Sequence, residues 1–222
     1  MSDSQRQKIL SCACDLYLKD GLEGFSMRKL AKDVGVTAPA LYRHFRSREG
    51  VLVAMMGEAH RLQAQYLYRA LQGHTPAERL ERAAREYLSF ASEHPEMYEM
   101  LYVSPHHLGL SELPLEVAEV AAATGRFWQD RVREAMEAGI LCKGDPDAVG
   151  LTLWAHAHGF VTIHLRGICP VLGGEDLVSR FVESSRRLLA GLGGPSWRAH
   201  ADAEAEAPVV GERNGKGARR AS

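Results

Sequence analysis

Apolar residues recur along the chain with the spacing of an α-helix. Between residues 27 and 34 they fall at positions i, i+3, i+4 and i+7, which share one helix face: Met27, Leu30, Ala31 and Val34. Segments that alternate apolar and polar residues, as half-buried strands do, are not found at convincing length. The pattern therefore predicts an all-α fold.

Capping residues and helix breakers divide the first 48 residues into three helices. The first is predicted over about residues 4–20, with Gly21 at its end. Ser26 is a suitable N-cap for the second helix, which Gly35 ends, and Thr37 is a suitable N-cap for a short third helix. Two short helices joined by a tight, glycine-containing turn make a helix-turn-helix.

Six further helices are predicted, which makes about nine in all. The clearest start is Thr75-Pro76-Ala77-Glu78, a capping box with proline at the first helical position. Asp145-Pro146 opens a later helix in the same way. The predicted ranges are about 47–71, 76–94, 95–103, 114–139, 146–167 and 175–191.

Charge is distributed unevenly along the chain. The first 48 residues hold nine Lys and Arg against five acidic residues, whereas the whole chain has a formal charge of −1. A basic segment on an otherwise acidic chain is typical of a DNA-binding headpiece that carries a separate body. A polar N-terminus and the lack of a long apolar run predict a cytoplasmic protein with no membrane segment, in which the four cysteines stay reduced.

Residues 9–59 carry a denser set of signals than any other part of the chain. These include Leu16-Tyr17, Gly24-Phe25, Leu30-Ala31, Gly35-Val36, Leu41-Tyr42, His44-Phe45 and Arg48-Glu49, in register with the caps Ser26 and Thr37. This segment resembles the helix-turn-helix region of the TetR family of transcriptional regulators. The resemblance implies a homodimer that binds a pseudo-palindromic double-stranded DNA operator and is released, as a repressor, by a small-molecule effector whose identity is unknown.

The same resemblance assigns roles to residues of the helix-turn-helix. Ser26, Thr37, Tyr42, His44 and Arg48 would contact the DNA backbone. Arg28, Ala38 and Ala40 would face base edges, where the alanines allow close approach to thymine methyl groups. We expect Arg28 to pair with guanine, with Arg43 as the second candidate.

A second motif, Trp154-Ala155-His156-Ala157-His158-Gly159, resembles a Trp-x-x-x-His-Gly pattern of one subgroup of TetR C-terminal domains. Trp154 and His158 share a helix face because they are four residues apart. Two interpretations stay open, a core Trp–His pair or part of an effector pocket. The pocket would also contain Tyr87, Phe90, Met97, Tyr98, Tyr102, Phe127 and Trp128.

The sequence predicts neither a catalytic site nor a metal or cofactor site. His156 and His158 are two residues apart on one helix, so they point in different directions and cannot hold one metal ion together. Two alternatives to a regulator remain, a dimeric interaction module and a histidine-dependent cofactor protein, neither of which binds DNA. The predicted organisation is a DNA-binding domain over 1–48, a body for effector binding and dimerisation over 49–192, with the last two helices at the dimer interface, and a disordered tail over 193–222.

Overall fold

The computed structural model describes residues 2–168 and 177–196. Over these ranges the chain forms nine α-helices, two short 3₁₀ turns and no strand, and it thereby confirms the all-α prediction. The helices are α1 (Ser2–Gly24), α2 (Met27–Val34), α3 (Ala38–His44), α4 (Arg48–Tyr68), α5 (Pro76–Glu93), α6 (Pro95–Leu101), α7 (Leu115–Glu137), α8 (Pro146–Leu165) and α9 (Leu177–Leu192).

The predicted caps define the helix-turn-helix. The Ser26 hydroxyl accepts a hydrogen bond from the Lys29 backbone N–H at 3.3 Å, and the Thr37 hydroxyl accepts one from the Ala40 N–H at 3.3 Å. Gly35 ends α2 in the left-handed region at φ 79°. Gly21 interrupts α1 as predicted, because its backbone is non-helical there, at φ 66° and ψ −174°, and only a short segment to Gly24 follows this kink.

The capping box before α5 forms with a shift of one residue. The Thr75 hydroxyl accepts a hydrogen bond from the Glu78 N–H at 3.2 Å, as predicted. The Glu78 carboxylate accepts from the N–H of His74 at 2.8 Å, one residue before the usual partner. Helix α4 ends slightly earlier than predicted, at Tyr68, because a 3₁₀ turn over Arg69–Gln72 replaces its last turn.

One apolar core joins the first three helices to the body. It includes Leu30 and Leu41 of the helix-turn-helix and Met55 of α4, together with Met100 and Val117 from α6 and α7. Helix α4 also packs on α5 and α7. The predicted boundary between residues 48 and 49 therefore lies within one continuous cluster of buried side chains.

Residues 193–196 are held against the connection between α7 and α8. The Cys142 N–H donates to the Leu192 carbonyl at 2.9 Å, the Gly194 N–H donates to Ile140 at 2.9 Å, and the Ser196 N–H donates to Gly139 at 3.2 Å. These four residues were expected to be disordered, and their backbone hydrogen bonds explain why they are ordered instead. The rest of the predicted tail, residues 197–222, lies outside the described residues.

Candidate nucleic-acid interface and ligand cavity

Helix α3 is anchored on one face and open to solvent on the other. Leu41 is fully buried and Phe45, directly after α3, is 5% exposed, whereas Tyr42 is 49% exposed. Of the residues predicted to contact DNA, six are exposed and lie on α2, on α3 or at the start of α3: Arg28, Thr37, Ala38, Tyr42, Arg43 and His44. Ser26 and Ala40 are half-buried. The two short helices thus present basic, aromatic and small side chains together.

The two cap hydroxyls keep hydrogen-bonding capacity after capping. In Ser26 and Thr37 the oxygen accepts the cap hydrogen bond, which leaves each hydroxyl hydrogen available to donate. Lys29, beside Arg28, is occupied differently, since its ammonium pairs with Asp20 at 3.1 Å and donates to the Gly24 carbonyl at 3.0 Å. Arg28 is therefore the freer cation at the start of α2.

Arg48 lies apart from this exposed group. Its guanidinium donates to the backbone carbonyl of Leu22, and its Nε is enclosed without a partner. The contact joins the first turn of α4 to the segment that follows the bend at Gly21. The structure therefore places Arg48 as a link between α1 and α4.

A cavity of about 1180 Å³ lies in the body. Helices α4 to α9 contribute to its walls. Four of the nine residues predicted for an effector pocket line it: Tyr87, Tyr102, Trp128 and Trp154. The other five lie behind or beside the wall, within the packed interior: Phe90, Met97, Tyr98, Phe127 and His158. Four predicted residues thus line one cavity, and its role as an effector pocket stays a prediction.

Hydrogen bonds in and behind the cavity wall connect α5, α6 and α8. The hydroxyl oxygens of Tyr87 and Tyr102 lie 2.7 Å apart and share a hydrogen bond. The Tyr98 hydroxyl lies 2.6 Å from Nδ1 of His158. Burial raises the pKa of both Tyr87 and Tyr98, so these phenols stay protonated. Burial also lowers the pKa of His158, against a smaller opposite effect of Glu99. The network is accordingly uncharged near neutral pH.

Trp154 and His158 stack on one face of α8. Their rings have centroids 5.2 Å apart and planes inclined by 17°. Trp154 lines the cavity and is 37% exposed, whereas Nδ1 of His158 lies 2.6 Å from the Tyr98 hydroxyl. Trp154 is therefore not a core residue, and its place in an effector pocket stays a prediction.

Sequence reasoning missed several polar residues of the cavity. His60 and Gln63 line it from α4, and Gln63 is only 6% exposed. The spacing of Gln63 could have identified it as buried: it lies four residues after Ala59 and three before Tyr66, on an otherwise apolar stripe of α4. A polar residue on a buried stripe marks either a hydrogen-bond partner or a ligand.

Histidines of α8 are engaged within the fold. Nε2 of His156 lies 3.0 Å from the Ser184 hydroxyl of α9, and His158 contacts Tyr98 as described. Over residues 2–168 and 177–196, no group of three or more His, Cys, Asp or Glu side chains is arranged to hold a metal ion.

Comparison with known families matches both parts of the chain. A family model described as bacterial regulatory proteins, tetR family, matches residues 9–55. A second model, described as a tetracyclin repressor-like C-terminal domain, matches residues 80–192, about half of the chain. The chain belongs to the TetR family. Its resemblance to that family is thereby confirmed.

Individual relatives support the assignment to different extents. The tetracycline repressor protein class A from transposon 1721 of Escherichia coli is 39% identical over 64 residues, which are 27% of this chain and 30% of the relative. The matched segment thus spans less than a third of that repressor. A solved structure of a protein of unknown function from Rhodococcus sp. RHA1 is 30% identical, with a TM-score of 0.72, and the match covers 85% of this chain and 95% of the other.

One further TetR-like structure shares the fold. The crystal structure of AibR in complex with isovaleryl coenzyme A and operator DNA has a TM-score of 0.62 and 21% identity, covering 82% of this chain and 95% of AibR. For the TetR chain described here, none of the helices within residues 2–168 and 177–196 is long and apolar enough to cross a membrane.

Proposed function

We propose that this TetR family member is a cytoplasmic, homodimeric transcriptional repressor that a small, largely apolar molecule releases from its operator. The observation that carries the proposal is the exposed set on α2 and α3, which combines the small Ala38 with Arg28, Tyr42, Arg43 and His44. Such a surface fits the major groove of DNA, since small residues allow close approach while basic and aromatic residues reach phosphates. No catalytic step is part of the proposal.

Within the proposed complex, base reading and backbone binding fall to different residues. Arg28, whose side chain is exposed at the start of α2, pairs with guanine through its two parallel donors. Ala38 and Ala40 contact thymine methyl groups, and Arg43 is the second candidate for a base contact. Ser26, Thr37, Tyr42 and His44 donate hydrogen bonds to phosphates, and Arg48 acts indirectly by holding α1 against α4.

The proposed dimer forms through α8 and α9. Helix α8 contains no Lys, Arg or Glu, yet Leu151 is 61% and Ile163 is 37% exposed. A helix that is apolar on all sides is normally covered on all sides. A second copy would cover this face and form a four-helix interface, and it would present two α3 helices about one DNA turn, roughly 34 Å, apart.

Ligand release would act through α6. Tyr102, at the C-terminal end of α6, lines the cavity, whereas Met97 near its start contacts the Cys14 thiol of α1 at 3.7 Å. A ligand that binds more tightly to a shifted position of α6 would displace α1 and change the spacing of the two α3 helices. AibR supports the combination, because its structure contains both a small molecule and operator DNA on a similar fold.

Selection of genomic fragments tests the DNA-binding part. The purified protein is incubated with sheared DNA of its source organism at near-physiological salt, and the retained fragments are sequenced. We expect one or a few pseudo-palindromic sites, bound with an affinity that falls steeply as salt rises, because several phosphates are neutralised.

The control for this selection is the Tyr42→Phe, His44→Ala double variant, which leaves the buried anchors Leu41 and Phe45 intact. It should retain far less DNA than the parent protein. Retention of no DNA by the parent, or of unselected DNA only, contradicts the proposal and favours an interaction module. A bound chromophore or metal in the purified protein would favour the cofactor protein.

A further inference from the structure

His60 is a polar side chain on the cavity wall that the protein leaves without a hydrogen bond. Its Nδ1 is enclosed and no described group pairs with it, whereas Nε2 is not enclosed in this way and is the ring nitrogen left to meet a ligand. Burial lowers the pKa of His60, which keeps the imidazole neutral near pH 7. A neutral imidazole offers one donor and one acceptor, and a buried one normally finds partners for them.

The other lining residues of α4, Gln63 and Leu67, are uncharged. Gln63, one turn further along α4, lies within hydrogen-bonding reach of the Tyr102 hydroxyl. The adjacent wall consists of apolar groups that include Leu101 and Ala121. This end of the cavity therefore combines one unpaired neutral nitrogen with apolar surface.

Charged residues also line the cavity: Glu81, Arg85, Asp147 and Arg186. Gly57, just before His60, packs against Val117 near the start of α7. Asp147 lies 4.0 Å from Arg133, which is sixteen residues, or a rise of about 24 Å, further along α7 than Val117. Asp147 therefore lies towards the other end of α7.

The cavity is elongated along the helices. Its lining residues on α7 extend from Ala121 to Gln129, a rise of about 12 Å, and those on α9 extend over a similar length, from Phe181 to Ala190. Aromatic surfaces of Trp128 and Trp154 form part of these walls. The shape favours a rod-like or flat apolar molecule.

We propose that the effector is an uncharged, elongated, largely apolar molecule with a terminal hydroxyl or carbonyl oxygen that hydrogen-bonds to Nε2 of His60. This inference rests on the proposed function, since it specifies the ligand of the same cavity. A carboxylate would gain no ion pair from His60 itself, because the imidazole is neutral.

Three probes of the same shape test the inference: biphenyl, 4-phenylphenol and biphenyl-4-carboxylate. Each is titrated at pH 7 into the full-length protein without DNA, and binding is followed by quenching of Trp128 and Trp154 and by calorimetry. We expect 4-phenylphenol to bind about tenfold more tightly than the other two, the effect of one good hydrogen bond. Equal affinity of biphenyl and 4-phenylphenol, tightest binding of the carboxylate, or no binding of any probe overturns the inference.

Variants at His60 locate the hydrogen bond. His60→Leu should abolish the advantage of 4-phenylphenol while leaving biphenyl affinity within about twofold, and His60→Gln, which keeps a donor, should retain most of the advantage. His156→Leu is the matched control, because His156 also lines the cavity but already bonds to Ser184. It should keep the full advantage. An advantage that persists in His60→Leu overturns the inference.

The experiments distinguish a wrong ligand inference from a wrong regulator proposal. A protein that captures operator DNA but shows no preference for 4-phenylphenol contradicts only the ligand chemistry. A protein that prefers 4-phenylphenol through His60 but captures no DNA contradicts only the proposed regulator.

Discussion

The Tyr98 hydroxyl of α6 lies 2.6 Å from Nδ1 of His158 on α8, in the layer of side chains behind the cavity wall. Tyr98 is 2% exposed, so this hydrogen bond has almost no competition from water. Because His158 is neutral, its Nδ1 can accept the phenolic hydrogen. The bond fixes α6 against α8. Because α6 also contacts α1 through Met97 and Cys14, the same bond helps to hold α1 in place.

Removal of the Tyr98 hydroxyl should destabilise the protein. Tyr98→Phe leaves the ring in place but removes the closer partner of the His158 nitrogen, so that only the Tyr87 hydroxyl remains, at 3.4 Å, and we expect a loss of about 1–2 kcal/mol in the free energy of unfolding. Urea denaturation followed by circular dichroism measures this loss. Tyr68→Phe is the control, because Tyr68 is 47% exposed; a similar loss in both variants would show that the buried bond adds nothing.

Stability should fall as pH is lowered from about 7 to 5. Burial lowers the pKa values of His60, His156 and His158 in the folded state, so the unfolded chain, with histidine pKa values of about 6.5, binds more protons in this range. The free energy of unfolding therefore rises with pH, by at most about 1.4 kcal/mol per pH unit for each group. Denaturation midpoints at several pH values measure the slope.

Two substitutions assign this slope to the buried histidines. His158→Asn removes one titrating group but keeps an acceptor, so its stability should depend less on pH than that of the parent protein. His107→Asn changes an exposed histidine and should leave the slope as it was. A slope that is the same in all three proteins would assign the pH dependence elsewhere.

Base reading and phosphate binding should separate in variants of the helix-turn-helix. Arg28→Ala should weaken binding to the selected operator by about 1–3 kcal/mol and relax preference at one base pair. Tyr42→Phe and His44→Ala should weaken binding to every sequence to a similar degree. Fluorescence anisotropy on the operator and on single-base variants distinguishes the two patterns.

Arg82→Ala is a suitable control for the loss of positive charge. Arg82 is exposed on α5, away from the helix-turn-helix, and its removal should change operator affinity little. If Arg28→Ala lowers the affinity for all operator variants by the same factor, the assignment of base reading to Arg28 is wrong.

Two glycines at the end of α9 should respond to alanine in opposite directions. A Cβ at Gly194 would overlap the Gly139 carbonyl oxygen, so Gly194→Ala must disrupt the contact with the α7–α8 connection, at a cost of about 1–3 kcal/mol. A Cβ at Gly191 meets no atom within 4 Å. Gly191→Ala should therefore be neutral or stabilise α9 by up to about 1 kcal/mol. Thermal denaturation of both variants measures the difference.

Local signals in the sequence were sufficient for the helices. The caps Ser26, Thr37 and Thr75 and the breaker Gly35 act through neighbouring backbone groups, so their effect can be read from a few residues. Gly21 belongs to the same group, since the regular helix is broken at this residue, where the backbone takes a positive φ.

Positions that depend on long-range packing could not be derived in the same way. Phe90 and Tyr102 are both aromatic residues on amphipathic helices, but only the final helix arrangement decides that Tyr102 faces the cavity and Phe90 the core. The role of Arg48 also depends on long-range packing, since its hydrogen-bond partner is the carbonyl of Leu22, twenty-six residues earlier. The region of the cavity was predictable, but its individual lining residues were not.

The apolar cluster that joins the helix-turn-helix to α6 and α7 limits how such regulators can be recombined. Residues 1–48 grafted alone onto another body would leave Leu30 and Leu41 without Met55, Met100 and Val117 as their neighbours. A functional chimera must therefore exchange the first half of α4 and the facing surface of α6 and α7 together with the DNA-reading helices. If the proposed operator binding and effector response hold, both depend on this shared interior, and substitutions that suit one are constrained by the other.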